Sequence, residues 1–322
     1  MTTTRFKYVY GPVASRRLGR SLGVDLVPFK TCTYDCVYCQ LGHTTNQTIR
    51  LDAYVPVEDL LAEVAVKLAS PRLPDFVSLA GSGEPTLHAG IGEVVRGIKR
   101  MTSVPVAVIT NGSMLWSRDV QASLMEADLL LPSLDAGDAG RFQQVNRPHP
   151  KIEFEAMVNG IAEFTRRFRK PVWLEIFLLE GITGTPEAVE RLAAWTRKIR
   201  PAKVQLNTVS RPPCEEGARP VPPERLAALA ALFDPAAEVI SEAFVGGPSA
   251  AAGSVTDADI LALIRIRPCT AEGVAAGLGL HIHESAKRLA DLCDRGAAVT
   301  VRREKSVFYE TVRSSPGQRA SG

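Results

Sequence analysis

Apolar runs rich in β-branched residues recur along the first two thirds of the chain. They lie at residues 22–27, 76–80, 104–110, 128–134, 172–178 and 203–208, and each is typical of a strand. Amphipathic stretches typical of helices lie at 57–69, 90–101, 117–126, 153–168, 186–199 and 223–233. Strands that alternate with helices predict an α/β fold with a parallel sheet, because a parallel connection needs a long crossover. The periodicity leaves open a doubly wound sheet and a full or partial barrel, and both place functional loops at the carboxyl ends of the strands.

The pattern changes after residue 244. Residues 245–253 are small and lack periodicity, which predicts a linker between a domain at 1–244 and one at 254–313. The second domain contains three helical patterns and two alternating strands, at 256–265, 270–278, 282–295, 297–302 and 307–312. Three helices followed by a two-stranded ribbon predict a small C-terminal winged-helix domain. We expect residues 314–322 to be a disordered tail.

The composition narrows the class of protein. Hydrophobic residues make up 45% of the 322 residues and charged residues 23%, as in ordinary globular proteins. A net charge of +3 is too small to argue for a polyanionic partner by bulk electrostatics. The sequence shows no signal-peptide pattern and no apolar stretch of the ~20 residues that a membrane span needs. We therefore expect a cytoplasmic protein without a membrane partner.

Three of the six cysteines, Cys32, Cys36 and Cys39, lie within eight residues after the first predicted strand. In a reducing compartment such a group indicates a metal site rather than a disulfide framework. Three thiolates can hold three irons of a [4Fe–4S] cluster and leave the fourth iron open for a small chelating molecule. Zinc is the main alternative, but a structural zinc site takes four ligands and the nearest histidine is His43. Three unrelated buried thiols are the remaining alternative.

The spacing of these cysteines, with Tyr38 before the last one, resembles the signature of the radical S-adenosylmethionine (SAM) superfamily. A glycine-rich run that ends the second strand resembles the superfamily's motif for the SAM amino group, with candidate contacts Gly81, Ser82, Gly83 and Glu84. Glycines permit close backbone approach, and Glu84 would offer a carboxylate to an ammonium. By the same resemblance, further candidate SAM contacts at later strand ends are Asn111, Ser133, Asp135 and Ile182. Ordinary turn and helix-capping chemistry is the alternative for Asn, Ser and Asp.

The resemblance covers approximately residues 20–210 and implies a partial (βα)6 TIM-like barrel. It implies two cofactors, a [4Fe–4S] cluster and SAM. It also implies an enzyme in which an electron from the reduced cluster cleaves SAM to a 5′-deoxyadenosyl radical. The electron would come from a partner such as a flavodoxin or a ferredoxin.

The residues before the cysteines narrow the resemblance further. Residues 10–25, continuing through residues 38–42, resemble a poorly characterised group related to wyosine-type tRNA-modifying radical SAM enzymes, so tRNA modification is the first functional hypothesis. The wyosine enzymes carry a second cluster on upstream cysteines, whereas this chain has no cysteine before Cys32, which argues against a pyruvate-condensing wyosine activity. One alternative is modification of a peptide or protein docked by the winged-helix domain. Another is an iron–sulfur regulator that senses redox state and binds nucleic acid.

Two candidate catalytic residues lie outside these motifs. Arg147, after the fourth strand, is a candidate active-site cation, and Cys214, in a proline-rich loop after the sixth strand, is a candidate hydrogen donor or metal ligand. A solvated basic residue and a bystander thiol are the respective alternatives. Cys269 and Cys293 lie at apolar positions and are interpreted as core residues. Within 254–313, 9 basic residues are balanced by 8 acidic ones, which favours docking of a substrate or protein over nucleic-acid binding there. An appendage that only stabilises the fold is the other alternative.

Overall fold

The computed structural model describes residues 6–71, 73–240, 255–266, 268–303 and 306–312. The chain divides into two compact units, Met1–Phe244 and Val245–Gly322. The linker predicted at 245–253 and the tail predicted at 314–322 lie outside the described residues. Among the described residues, the structure contains no helix whose length and apolar character would let it cross a bilayer.

The first unit alternates strands with helices. Its strands are β1 (Val9–Ser15), β2 (Gly19–Val24), β3 (Thr31–Cys32), β4 (Asn46–Gln47), β5 (Phe76–Leu79), β6 (Val106–Thr110), β7 (Leu129–Pro132), β8 (Trp173–Leu178), β9 (Lys203–Thr208) and β10 (Glu238–Val239). Its helices are α1 (Val57–Leu68), α2 (Ile91–Met101), α3 (Arg118–Leu124), α4 (Ala139–Val145), α5 (Phe154–Arg167), α6 (Pro186–Ile199) and α7 (Pro223–Ala230), with a 3₁₀ turn at Pro85–Leu87. All six predicted strands are present, as β2, β5, β6, β7, β8 and β9. The short helix α4 and the strands β1, β3, β4 and β10 were not predicted, since each is short or pairs at the edge.

The strand order decides between the two architectures that the sequence left open. Strands β2, β5, β6 and β7 pair in parallel and in chain order, and β8, β9 and β10 do the same. Parallel bridges Leu130–Val172 and Ser133–Glu175 join β7 to β8. A doubly wound sheet would reverse its order at a switch point, and none occurs in this array. The fold is therefore α/β with a partial, TIM-like barrel, and β1 adds an antiparallel strand beside β2.

The two faces of the array differ in what they pack against. Along β8, Leu174, Ile176 and Leu178 belong to the large apolar core shared with the helices. Trp173, on the opposite face, packs against a small apolar cluster that contains Leu18. Successive side chains of a strand point to opposite faces, so Glu175 and Phe177 lie on the face of Trp173. This inner face is where the carboxyl-end loops can meet.

The second unit contains α8 (Asp257–Ile266), α9 (Ala271–Leu278), α10 (Ile282–Asp294), β11 (Ala298–Arg303) and β12 (Ser306–Thr311). Strands β11 and β12 form an antiparallel pair. Three helices followed by a two-stranded ribbon are the elements predicted for this segment. Cys269 is buried and its backbone exchanges hydrogen bonds of 2.8 and 3.1 Å with Tyr309, in agreement with a core position.

Candidate metal centre

The three clustered cysteines lie in the loop that follows β2, at the carboxyl end of the parallel strands. Cys32 ends β3, which pairs with β4 and thereby closes the loop on itself. The backbone N–H of Cys39 donates to the carbonyl of Cys36 at 3.1 Å, so the last two cysteines share a tight turn. All three are free thiols of intermediate exposure. The fold therefore places them where a TIM-like barrel carries its functional loops.

Each of the three thiols has a side-chain nitrogen donor close to its sulfur. The amide Nδ2 of Asn111, directly after β6, lies 3.6 Å from Cys32 Sγ. The amide Nδ2 of Asn146, at the end of α4, lies 3.5 Å from Cys36 Sγ, and Lys30 Nζ lies 3.2 Å from Cys39 Sγ. Donors directed at sulfur stabilise its anionic form, which is the form that binds a metal.

Burial affects the pKa of the thiols in the opposite direction to these donors. It raises the pKa of the Cys32 thiol to about 12, with the Glu84 carboxylate raising it further. Burial, followed by the charge of Asp135, raises the pKa of Cys36 well above its usual value. The thiols of Cys32 and Cys36 are thus protonated without metal, and iron must displace their protons when it binds.

The donor set fits a [4Fe–4S] cluster. Within the described residues, no three His, Cys, Asp or Glu side chains converge as ligands of one metal ion would. A [4Fe–4S] cluster does not require three ligands around a single ion, because each cysteine binds a different iron. Three thiols in one loop, each facing a nitrogen donor, satisfy both the ligand count and the second layer of hydrogen bonds that such sites use.

The glycine-rich run is bonded directly to the cysteine loop. The N–H of Lys30 donates to the carbonyl of Ser82 at 2.7 Å, and the N–H of Glu84 donates to the carbonyl of Thr31 at 3.1 Å. A Cβ on Gly83 would stand 1.9 Å from the Thr31 oxygen, so only glycine fits this approach. The predicted SAM motif and the predicted cluster loop therefore form one backbone assembly.

Glu84 lies in this assembly, but its carboxylate faces protein donors. It is fully buried, and Oε1 accepts hydrogen bonds from the Thr86 N–H at 3.0 Å and the Thr110 hydroxyl at 2.6 Å. Its Oε2 accepts the N–H of Asn111 at 2.8 Å. Burial raises the pKa of Glu84, while these hydrogen bonds lower it in part. The structure thus gives the carboxylate a positioning role toward Asn111.

Asp135 and Tyr38 join the cysteine loop to the inner face of the array. The Tyr38 hydroxyl donates to Asp135, and the Tyr38 ring stacks on Phe177 with centroids 4.1 Å apart. Asp135 also accepts Asn146 Nδ2 at 2.8 Å and the Phe177 N–H at 3.0 Å. Burial raises the pKa of Asp135, and the three donors lower it in part. Asn146 thus contacts both Asp135 and Cys36, a role that its sequence position did not reveal.

The remaining candidate SAM contacts surround this assembly. The N–H and hydroxyl of Ser82 donate to Asp25. The N–H of Ser133 donates to the Thr110 carbonyl at 3.0 Å, so it lies at the ends of β6 and β7. The side chain of Ile182 packs on the cluster that Tyr38 and Phe177 contact. Of the predicted contacts, Ser82, Glu84 and Asp135 are buried, whereas the others are partly exposed.

The family model of the radical SAM superfamily matches residues 26–194, just over half of the 322-residue chain. The chain belongs to the radical SAM superfamily. The cofactors of this superfamily are a [4Fe–4S] cluster and SAM, and its members are enzymes. Membership thus favours an enzyme over the redox-sensing regulator considered from the sequence.

Two curated relatives extend the match over most of the chain. A UPF0026 protein of Methanocaldococcus jannaschii is 30% identical over 310 residues, which are 93% of this chain and 94% of that protein. A protein of Brachyspira hyodysenteriae named GTPase Obg is 35% identical over 292 residues, which are 89% of this chain but only 42% of that protein. This radical SAM chain has no Gly-Lys pair and hence no phosphate-binding loop motif of the P-loop type.

A solved structure supports the fold. A radical SAM methyltransferase from Sphaerobacter thermophilus aligns with a TM-score of 0.52 at 16% identity, over 68% of this chain and 64% of that one. At this identity the likeness concerns the fold alone.

Both candidate catalytic residues of this radical SAM protein lie against its cysteine loop. The Cys214 thiol lies 3.2 Å from the Cys36 carbonyl and 3.1 Å from the Val37 carbonyl. Arg147 forms an ion pair with Glu215, whose N–H donates to the Val37 carbonyl at 3.1 Å. The hydrogen bond that Arg147 donates to the Glu215 carboxylate raises the pKa of Arg147. Arg147 is therefore a paired cation that ties the proline-rich loop to the cysteine loop.

Proposed function

We propose that this protein reductively cleaves SAM at a [4Fe–4S] cluster held by Cys32, Cys36 and Cys39, and uses the resulting radical to modify a substrate. One observation carries the proposal: three thiols of one loop each face a nitrogen donor, and that loop is hydrogen-bonded to the glycine-rich run. The carboxyl-end position of this assembly agrees with where such folds place chemistry.

When bound, the cluster and SAM supply the one-electron cleavage that yields methionine and a 5′-deoxyadenosyl radical. The chain's residues hold and order these groups. The three thiolates would occupy three irons, while Gly81 and Gly83 let the glycine-rich run pack closely on Asp25 and Thr31 beside them. Asn111, ordered by Glu84, supports Cys32. The electron comes from an external donor such as a flavodoxin or ferredoxin.

The cleavage is tested by anaerobic reconstitution with iron and sulfide, followed by SAM and a one-electron reductant. We expect 5′-deoxyadenosine from the wild-type protein, measured by liquid chromatography and mass spectrometry. Cys32→Ala should abolish it, because an iron loses its only protein ligand. Cys293→Ala, in the second unit, is the matched control and should leave the yield unchanged. An intact cluster that produces no 5′-deoxyadenosine with reductant would refute the proposal.

For the substrate, the first candidate is tRNA, supported by the resemblance of residues 10–25 to the group related to wyosine-type enzymes. Nucleosides from tRNA of cells with and without this protein test it. We expect one modified nucleoside to disappear in its absence, and identical nucleoside profiles would refute tRNA as the substrate.

The second candidate is a peptide or protein docked by a winged-helix C-terminal unit, and the charges of that unit favour it. Arg288 of α10 and Arg295, directly after α10, both pair with Asp257, at 2.7 and 2.6 Å, so these guanidinium groups are already engaged. Phosphate binding needs uncompensated cations. We expect Lys287→Glu, an exposed charge reversal on α10, to leave tRNA affinity unchanged in fluorescence anisotropy. A tenfold loss would instead assign the unit to nucleic-acid binding.

A further inference from the structure

Lys30 is a buried cation beside the cysteine loop. Lys30 is only 3% exposed, and its Nζ lies 3.2 Å from Cys39 Sγ. Long charged side chains are almost never buried unless they are paired, because the ammonium loses its hydration. The position of Lys30 therefore requires a compensating anion nearby.

Among the described residues, no carboxylate forms a direct ion pair with this ammonium, although its charge also acts on Asp35, and the Cys39 sulfur is its hydrogen-bond acceptor. The other two thiols receive neutral amide donors from Asn111 and Asn146. Among the three cluster thiols, Cys39 is thus the one whose hydrogen-bond donor is a cation. When the cluster is bound, the Cys39 thiolate would supply the anion that the buried lysine needs.

The backbone of Lys30 gives an independent indication. It is left-handed, with φ 61°, a conformation that suits glycine or asparagine and not lysine. Three hydrogen bonds hold it there: its N–H donates to the Ser82 carbonyl at 2.7 Å, and its carbonyl accepts the N–H groups of Thr45 and Asn46 at 3.2 and 3.1 Å. A lysine kept in an unfavourable conformation points to a requirement for its side chain.

We propose that Lys30 is a positioning residue for the cluster, which holds the Cys39 thiolate and raises the reduction potential of the bound [4Fe–4S] group. The inference rests on the proposed function. Reduction by an external one-electron donor adds one negative charge to a group that three thiolates already make anionic. A fixed ammonium at one ligand sulfur favours the reduced form, since opposite charges attract strongly where water is excluded. Lys30 thereby makes the electron transfer that precedes SAM cleavage easier.

The test compares four reconstituted proteins: wild type, Lys30→Met, Lys30→Arg and Lys198→Met. Lys198 lies exposed on α6 and contacts Asn159, so its replacement removes one charge far from the cysteines. Iron content is measured first, and the reduction potential is then found by a redox titration followed by electron paramagnetic resonance without SAM. We expect Lys30→Met to show a roughly tenfold lower ratio of reduced to oxidised cluster at a fixed potential, which is about 59 mV for one electron. Lys30→Arg should stay near the wild type, and Lys198→Met should match it.

Two outcomes overturn the inference while leaving the proposed function intact. One is a Lys30→Met protein with a full cluster and the wild-type potential. The other is an equal fall for Lys30→Met and Lys30→Arg, which would assign the effect to packing and not to charge. If Lys30→Met takes up no cluster but Lys30→Arg does, the charge requirement at Cys39 stands. A wild-type protein that binds no [4Fe–4S] cluster would instead refute the proposed function itself.

Discussion

The contact between Gly83 and Thr31 gives the most direct quantitative prediction. In Gly83→Ala, the new Cβ would stand 1.9 Å from the Thr31 carbonyl oxygen and 2.8 Å from its carbon, whereas ordinary contacts begin near 3.4 Å. Both atoms are backbone, so no side-chain rotation relieves the overlap. The loop must therefore move by more than 1 Å. Overpacking of this kind lowers the free energy of unfolding by about 1–3 kcal/mol. The two flanking hydrogen bonds, Lys30 to Ser82 and Glu84 to Thr31, each contribute about 1 kcal/mol. Loss of both hydrogen bonds therefore brings the expected decrease in the free energy of unfolding to about 3–5 kcal/mol.

Urea unfolding of the metal-free protein, followed by tryptophan fluorescence, measures this loss. All three tryptophans, at 116, 173 and 195, belong to the first unit, so the signal reports on that unit alone. Anaerobic iron loading provides a second readout, because Thr31 precedes Cys32. We expect Gly83→Ala to lower the urea midpoint and to reduce the iron retained after gel filtration.

Gly217→Ala is the matched control. A Cβ at Gly217 would meet no atom within 4 Å, and the residue is exposed in the same unit. We expect a change in the unfolding free energy within about 0.5 kcal/mol. If Gly83→Ala lowers the free energy of unfolding no more than this control does, the glycine-rich run does not pack directly on the cysteine loop.

Two further predictions concern buried and half-buried carboxylates. Asp135→Asn should lower the free energy of unfolding by about 1–3 kcal/mol, because the new amide nitrogen cannot accept a hydrogen bond from Asn146 while the remaining oxygen accepts the Phe177 N–H. Urea unfolding of the metal-free protein measures this loss. An unchanged urea midpoint would contradict the hydrogen-bond network. The Asp128 carboxyl has a lowered pKa, since the Lys99 ammonium and a backbone N–H outweigh its burial. A lowered folded pKa stabilises the protein above the ordinary value of 3.8, and this contribution is lost as the pH falls through the folded value. Asp128→Asn should therefore be about 1 kcal/mol less stable than wild type at pH 7. This difference in the free energy of unfolding should shrink when unfolding is measured near pH 3. A difference that stays constant with pH would contradict the lowered pKa of Asp128.

The sequence alone determined the local features of this protein. We could predict the six strands, their alternation with helices, the three-cysteine motif and the glycine-rich run, because each depends on residues that are close together along the chain. Their order already indicated where the functional loops lie. The resemblance to the radical SAM superfamily then supplied the cofactors, and the match over 26–194 agrees.

Tertiary structure decided which groups meet. Asn146 reaches Cys36 across 110 positions and Asn111 reaches Cys32 across 79, contacts that no local pattern encodes. Glu84 was predicted to face a ligand, yet folding surrounds its carboxylate with hydroxyl and backbone donors from another strand end. Lys30 reads as an ordinary surface lysine until the loop closes and buries its ammonium against sulfur. The physical reason is the same in each case: a buried polar group must find a partner, and the path of the chain determines which partner is within reach.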